Sequence, residues 1–352
     1  MSFGSFLLQA RNFAFLLKYM LFTEDPVQVS ILLAARNEEK NIERCLRSLL
    51  ELDYPKNKIE ILIGDDDSDD KTGIIIQDFI RDHPHYQYFK ITDCVDGLKG
   101  KANVLAQLSH RAKGDYFFYC DADIAVPPTW IHSMLKHFQA DTGVVVGLTR
   151  MRNTHLFADF LSLEWLFTLS ILRFFSIFRI ALTGLGNNMA VTREAYFKIG
   201  GYEKIGFSIV EDYALFMAIV KAKYRFVQAY TDKIVARSEP LNSFSELKVQ
   251  RRRWMRGIME SPLVLRICVI MSALYVPIIA VIAIWDPQRS WNMAVSHYAL
   301  ITTVVLFAVI FLKQKDLWKT VFFFWFYLMA VCIWMVIIYI SPGETTWKGR
   351  SY

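Results

Sequence analysis

An α/β domain built on a mostly parallel sheet, followed by transmembrane helices, is the fold class this sequence predicts. Three observations predict it. Short apolar, β-branched runs alternate with segments of helical periodicity from Val27 to about residue 150, the signature of βαβ units. Polar clusters follow the strand runs that end at Ala35, Ile63 and Cys120, and such strand ends are where open parallel sheets bind ligands. Beyond residue 260 the chain turns apolar, in segments that match the roughly 20 helical residues needed to cross a hydrocarbon core.

In order, Val27 to Ala35 reads as a strand, and Ile42, Leu46, Leu49 and Leu50 then recur at helical spacing. Ile59 to Ile63 is a short strand ending in Gly64 and a burst of acids. Ile74 to Ile80 reads as helix, Tyr86 to Ile91 as strand and Ala102 to Ala112 as helix. Tyr116 to Cys120 is a strand, Trp130 to Phe138 a helix and Val144 to Leu148 a strand. Residues 157 to 182 crowd Phe, Leu, Ile and Trp around Glu164, Arg173 and Arg179. That stretch fits either a buried helix of the domain or one lying against a bilayer.

Three apolar segments follow, at about 263–284, 294–312 and 319–340. Arg266 and Pro277 interrupt the first, so it reads as broken or re-entrant and the chain as having two or three spans. Lys313, Lys315 and Lys319 mark the loop between the second and third as cytoplasmic. The expected division is an interfacial amphipathic helix over 1–23, a catalytic-type domain over 24–260, spans over 261–341 and a basic tail over 342–352. Gln9, Arg11, Asn12 and Lys18 break the apolar character of the first segment, which favours a helix lying on the membrane over a cleaved signal.

Across 352 residues, hydrophobic content is 54% and aromatic content 15%, above the roughly 45–50% apolar usage of soluble domains. The net charge of +6 gathers at Lys248, Arg251, Arg252, Arg253 and Arg256, just before the apolar segments. Such a belt attracts anionic lipid and fixes orientation. No finger or stacking motif accompanies it, which argues against nucleic acid. Cysteines 45, 94, 120, 268 and 332 lack metal-ligand spacing and read as buried free thiols in a reducing compartment. The spans hold almost no polar residues, which argues against a transporter.

On a helix, Gln250, Arg253 and Trp254 stand at i, i+3 and i+4 and share one face. They offer an amide, a guanidinium fork for phosphate oxygens and a ring for stacking. Asp121-Ala122-Asp123, directly after an apolar strand, supplies oxygen ligands of the kind a divalent cation shares with phosphates. The Asp65 to Asp70 run packs five acids into six residues, a crowding that requires solvent, donors or cations. The Ala34-Ala35-Arg36-Asn37-Glu38 cluster offers a carboxylate and backbone groups at a strand end.

Read together, "AARNEEKNIERCLRSLL", "IEILIGDDDSDDKT", "KGKANVLAQ", "DADI", "GLGNNMAVTREAY", "VEDYAL" and "QRRRW" resemble family 2 glycosyltransferases. These are inverting enzymes of the GT-A fold, which is Rossmann-like, and the match covers about residues 27–257. The QxxRW element followed by spans resembles the membrane-bound branch, which includes ceramide glucosyltransferases and polysaccharide synthases. The ending "WKGRSY" resembles the tails of glycolipid-forming members.

The resemblance implies a set of roles. Ala35, Glu38, Asp65 and Asp66 would meet the nucleoside, Asp66 accepting a hydrogen bond from a uracil base. Asp67 stands where the family has glycine. Lys101 would approach the diphosphate, Asp121 the ribose or sugar, and Asp123 would ligate Mg²⁺ or Mn²⁺. Gly186 and Asn187 would form an acceptor-side loop whose glycines permit close approach and positive φ. Glu211-Asp212 would supply the general base, with Asp212 as the base itself. Gln250, Arg251, Arg253 and Trp254 would close over the diphosphate, Arg253 stabilising its developing charge. The expected partners are a nucleotide-sugar donor, a lipid acceptor and the membrane, with the domain on the cytoplasmic side of a bacterial inner membrane. Too few spans are present to enclose a polymer channel, which favours single-sugar transfer over a processive synthase. An inactive nucleotide-binding scaffold is disfavoured because every expected acidic and basic position is filled.

Overall fold

The computed structural model describes residues 26–341 except 209 and 242, together with 346–347 and 350–351. The helix expected over residues 1–23 lies outside the described residues. So does most of the tail, whose described residues pair as Thr346–Trp347 with Arg350–Ser351.

Seven strands form the main sheet: β1 (Val29–Ala35), β2 (Ile59–Asp65), β3 (Tyr86–Lys90), β4 (Tyr116–Asp121), β6 (Thr142–Val146), β8 (Asn188–Thr192) and β9 (Arg225–Gln228). Their order is β3-β2-β1-β4-β8-β6-β9. Neighbours run parallel except that β8 is antiparallel to both β4 and β6. A smaller sheet joins β5 (Ile124–Ala125), β10 (Val235–Ser238) and β7 (Leu148–Met151). The expected strand over Val144 to Leu148 is therefore two strands. The chain crosses between sheets at Gly147, where an added Cβ would come within 2.2 Å of the Asn188 side chain.

The crossover helices include α1 (Ile42–Leu50), α2 (Thr72–Ile80), α3 (Gly100–Arg111) and the short α4 (Trp130–Leu135). Helix α1 shows why the pattern works: Ile42, Cys45, Leu46 and Leu49 are its buried face. Burying each such Leu or Ile is worth about 1.5–3 kcal/mol. Register places Ala34 beside Asp121 and Ala35 beside Asp65. The carboxyl ends of β1, β2 and β4 thus lie level, as the sequence predicts.

Helix α5 (Leu156–Ile177) answers both expectations at once. Leu161, Leu163, Leu166, Leu169 and Leu172 are buried, whereas Phe174 and Ile177 are exposed. Short helices α6 (Arg193–Lys198) and α7 (Gly201–Ile205) lead to α8 (Glu211–Lys221). The chain ends in α9 (Phe244–Glu260), α10 (Leu263–Trp285), α11 (Pro287–Phe311) and α12 (Val321–Ile340). Among the described residues, four helices, α5 and α10 to α12, are long and apolar enough to cross a membrane. The first expected span is not broken. Helix α10 runs continuously through Pro277, because in an apolar setting one lost backbone bond is tolerated when its neighbours are kept.

Domain and terminal helices share one core. Leu163, Leu166 and Leu169 of α5 join Ile301, Val305 and Val309 of α11 and Phe324 of α12 in the same buried cluster as the sheet residues Ile31 and Phe118. The chain thereby seats its apolar helices directly on the α/β domain.

Candidate active site

The acidic loop after β2 is knitted to the loop after β1. Ser68 Oγ accepts from Asn37 N at 3.1 Å, Thr72 Oγ1 accepts from Glu38 N at 2.7 Å, and Asp70 accepts from Glu39 N at 3.1 Å. Asp65 accepts from Ser68 N at 3.0 Å and from Tyr88 Oη at 2.9 Å, and is 2% exposed. These bonds answer the crowding of like charge: the carboxylates face donors. Asp67 has φ +52°, the left-handed region that explains a glycine elsewhere in the family. Its carboxylate pairs with Lys90 at 3.1 Å. Arg36 Nη1 donates to the carbonyls of Asp66 and Asp67.

At the end of β4, Lys101 at the start of α3 reaches two carboxylates. Its Nζ lies 2.6 Å from Asp121 Oδ1 and 3.2 Å from Glu211 Oε1. Burial opposes this charge, but Asp121, Glu211 and Asp212 outweigh it and hold the ammonium above the ordinary lysine range. Asp212 begins α8, where the helix N-terminus favours an anion. Its Oδ2 accepts from Gly186 N and its Oδ1 from Tyr213 N, both at 2.7 Å. Burial, and Glu211 beside it, push its pKa up to about 6 against the pull of Lys101 and the two N–H groups.

Gly186 is required by proximity. A Cβ there would stand 2.5 Å from Asp212 Cβ, and one at Gly184 2.5 Å from Phe216 Cβ. Neither glycine is among the described residues with positive φ, so close approach, and not left-handed backbone, explains the motif. Asn187 accepts from Thr149 Oγ1 at 3.3 Å. Its neighbour Asn188 donates to the carbonyls of Leu148 and Ile234 and accepts from Trp130 Nε1 at 2.9 Å, tying both sheets together.

Asp123 Oδ2 accepts from Ser238 Oγ at 2.8 Å. Arg44 holds the Asp123 carbonyl and pairs with Glu239 at 2.9 Å. Arg44, Ser238 and Glu239 escaped the sequence reading, because their partners lie far along the chain and leave no local pattern. Among the described residues, no group of three or more His, Cys, Asp or Glu is preassembled to hold a metal. The donors present still suit one: Asp121, Asp123, Glu211 and Asp212 line a single wall. Hard cations such as Mg²⁺ and Mn²⁺ take one or two carboxylates and complete their shell with ligand phosphates.

Helix α9 delivers Gln250, Arg253 and Trp254 to the same space. Arg253 has no hydrogen bond or ion pair to any other described residue. Arg251 is engaged differently from the sequence expectation. It is 1% exposed and pairs with Glu164 of α5 at 2.6 and 2.8 Å, with its guanidinium 4.4 Å from the Trp254 ring centroid. Tyr327 of α12 donates to the same Glu164 at 2.7 Å.

A cavity of about 1310 Å³ joins these groups. Glu38, Lys101, Asp121, Asp123 and Asn187 line it, together with Gln250, Arg251, Arg253 and Trp254 of α9. Ala35, Asp65, Asp66 and Gly186 stand behind the wall. From the carboxylates the cavity continues between Ile171 and Leu172 of α5, Cys268 and Val269 of α10, and Val331 and Met335 of α12. One end is charged, the other apolar.

A family model described as glycosyl transferase family 21 matches residues 20–352. The chain belongs to that family. The motifs resemble family 2; the matching model carries the number 21. A probable glycosyltransferase of Bacillus subtilis, YdaM, is 29% identical over 65% of this chain and 55% of its own length. A β-monoglucosyldiacylglycerol synthase of Trichormus variabilis is 28% identical over 65% of this chain and 48% of its own. A poly-β-1,6-N-acetyl-D-glucosamine synthase of Staphylococcus epidermidis is 35% identical over a shorter stretch, 36% of this chain and 29% of its own. The glycosyltransferase thus spans about half the length, or less, of these curated relatives. In solved structures, the mannosyltransferase PcManGT of Pyrobaculum calidifontis, in complex with GDP-Man and Mn²⁺, aligns with a TM-score of 0.57 at 17% identity, over 96% of this chain and 95% of that one. That likeness shows the GT-A fold, terminal helices included.

Proposed function

We propose that this glycosyltransferase is a membrane-embedded inverting enzyme that moves one sugar from a nucleotide diphosphate sugar, UDP-linked by family resemblance, to the hydroxyl of a membrane lipid. The observation that carries the reading is the continuity of one cavity from Asp121, Asp123 and Asp212 to an apolar limb between α5, α10 and α12. A donor that is polyanionic needs the first end, and an acceptor with acyl chains needs the second. The relatives named for monoglucosyldiacylglycerol synthesis support a lipid acceptor.

In this reading Asp123 would hold Mg²⁺ or Mn²⁺, which when bound would supply charge neutralisation for the diphosphate. Lys101 and Asp121 position the donor, Glu38 serves the nucleoside from the loop after β1, and Asp66 backs that loop, its carbonyl held by Arg36. Asp212 takes the acceptor hydroxyl's proton as that oxygen bonds to the anomeric carbon from the face opposite the nucleotide. The anomeric carbon–oxygen bond breaks and its electron pair leaves on the diphosphate, where Arg253 meets the new charge. Gln250 and Trp254 close the pocket. Backbone donors to both Asp212 oxygens fix the carboxylate's plane, which is the pre-organisation such a base needs.

Arg150 of β7 binds Asp316 in the loop between α11 and α12, and Lys313 in that loop pairs with Asp232. These contacts join the lysine-rich loop to the domain, which with the positive-inside tendency supports a cytoplasmic domain.

The test is full-length protein in nanodiscs containing diacylglycerol, offered UDP-glucose, UDP-galactose and GDP-mannose with Mn²⁺ or with EDTA. Release of nucleoside diphosphate and a single-sugar glycolipid, both lost with EDTA, are expected. No release from any donor would overturn the reading. A high-molecular-weight polymer would favour the processive alternative, which the resemblance to the poly-N-acetylglucosamine synthase keeps in view.

A further inference from the structure

The Arg251–Glu164–Tyr327 cluster lies outside the roles assigned above, and it joins three helices. Glu164 is on α5, Arg251 on α9 and Tyr327 on α12. Arg251 is 1% exposed and the Glu164 side chain 12% exposed. A charge pair so deeply placed gives up hydration that its mutual attraction only partly restores, so apolar residues of like volume would often serve stability as well or better. What the pair supplies is geometry. A hydrogen bond from Nη2 to Oε2 at 2.8 Å and an ion-pair contact from Nη1 to Oε1 at 2.6 Å fix the direction of the guanidinium. That guanidinium lies 4.4 Å from the Trp254 ring centroid, and Trp254 meets Trp165, the neighbour of Glu164, edge-on at 5.5 Å.

We propose that Glu164 is a positioning residue: acting through Arg251, it sets the rotation of α9 that presents Arg253 and Trp254 to the carboxylate end of the cavity. Arg253 and Trp254 follow Arg251 by two and three residues on a rigid helix, so a rotation at Arg251 is transmitted to both. Glu164 itself lines the cavity beside Thr168 and Ile171, so the same side chain borders the apolar limb and holds the cationic helix. The tyrosine hydroxyl occupies a further lone pair of Glu164 Oε2, 2.7 Å away, and anchors the carboxylate from α12. This inference rests on the reading that Arg253 stabilises the departing diphosphate.

The experiment is a double-mutant cycle of Glu164→Gln with Arg253→Lys, measured as nucleoside diphosphate release by the full-length protein in nanodiscs with the donor panel above. Gln keeps the shape of Glu164 and removes its charge. Alone, it is expected to lower kcat roughly ten- to a hundredfold with donor KM nearly unchanged, the scale of a catalytic group displaced by about 1 Å. In the Arg253→Lys background its further effect should be several-fold smaller than alone, because the chief group it positions has gone while Trp254 remains. Tyr327→Phe should repeat this pattern more weakly, and it serves the cycle if Glu164→Gln fails to assemble. Equal losses in both backgrounds overturn the inference and leave the reading of Arg253 standing. Near-normal turnover in Arg253→Lys alone overturns that reading instead.

Discussion

Asp212 starts α8 with both oxygens held by backbone N–H groups, yet burial and Glu211 raise its pKa to about 6. A base must be unprotonated, so transfer should rise with pH between about 5 and 7 and then level. The same raised pKa works against stability: ionising Asp212 costs most above pH 6 and nothing below the unfolded carboxylate range near 4. A pH–rate profile of kcat/KM checks the first statement, and Asp212→Asn should flatten it. That variant is expected to keep donor binding while losing transfer by about 10²–10⁴; transfer at the native rate would remove Asp212 from the role. Arg253→Lys exchanges a planar fork for a point charge and should lower kcat by about 10² or more, read as nucleotide release under saturating donor.

At the scale of elements, the loop before β8 and the start of α8 are packed without slack. Gly186→Ala would place a Cβ 2.5 Å from Asp212 Cβ, so the base must move or the loop must shift. Loss of at least tenfold in transfer is expected, on the scale of small misplacements of a catalytic group, with donor affinity little changed. The apolar limb carries its own test, because Cys268 of α10 and Cys332 of α12 both line it. An alkyl methanethiosulfonate should form a mixed disulfide there and block lipid transfer while sparing donor hydrolysis. A Cys268→Ser, Cys332→Ser double variant should resist the reagent, and inhibition that persists in it would remove the limb from acceptor binding. Cys94, which the sequence reading buries with the others, is exposed and must be replaced in both proteins.

For the whole molecule, one buried arginine fastens the terminal helices to the α/β domain. Arg150 is fully buried and bonds Asp316 and Gln314, with Gln314 at 2.7 Å. Its hydrogen bonds hold the Asp316 carboxyl down at about 2, against burial. A depressed carboxylate lends stability above the unfolded pKa near 4 and loses it as pH falls toward 2. Asp316→Asn should therefore unfold earlier than the native protein at pH 7, with the difference closing below pH 3. The cost is about 2 kcal/mol, less than for a fully buried pair because the Asp316 side chain is 39% exposed. Thermal unfolding in one detergent across pH checks it.

Sequence alone determined the parallel sheet, the level of its strand ends and the acidic and cationic motifs, because these follow from local periodicity and short spacing. The Asp67 conformation was not legible: only the structure shows it left-handed, at φ +52°. Residues 183–240 were legible only as motifs, since β8 reverses direction and β9 and β10 are four residues each, too short for periodicity to speak. Tertiary structure decided which charges are spent on the fold and which face the cavity. Arg251 looks as available as Arg253 in the sequence, but Glu164 occupies it, and Lys101 and Tyr88 likewise take up Asp121 and Asp65. A side chain's freedom depends on partners brought together from distant positions, and no local pattern records that.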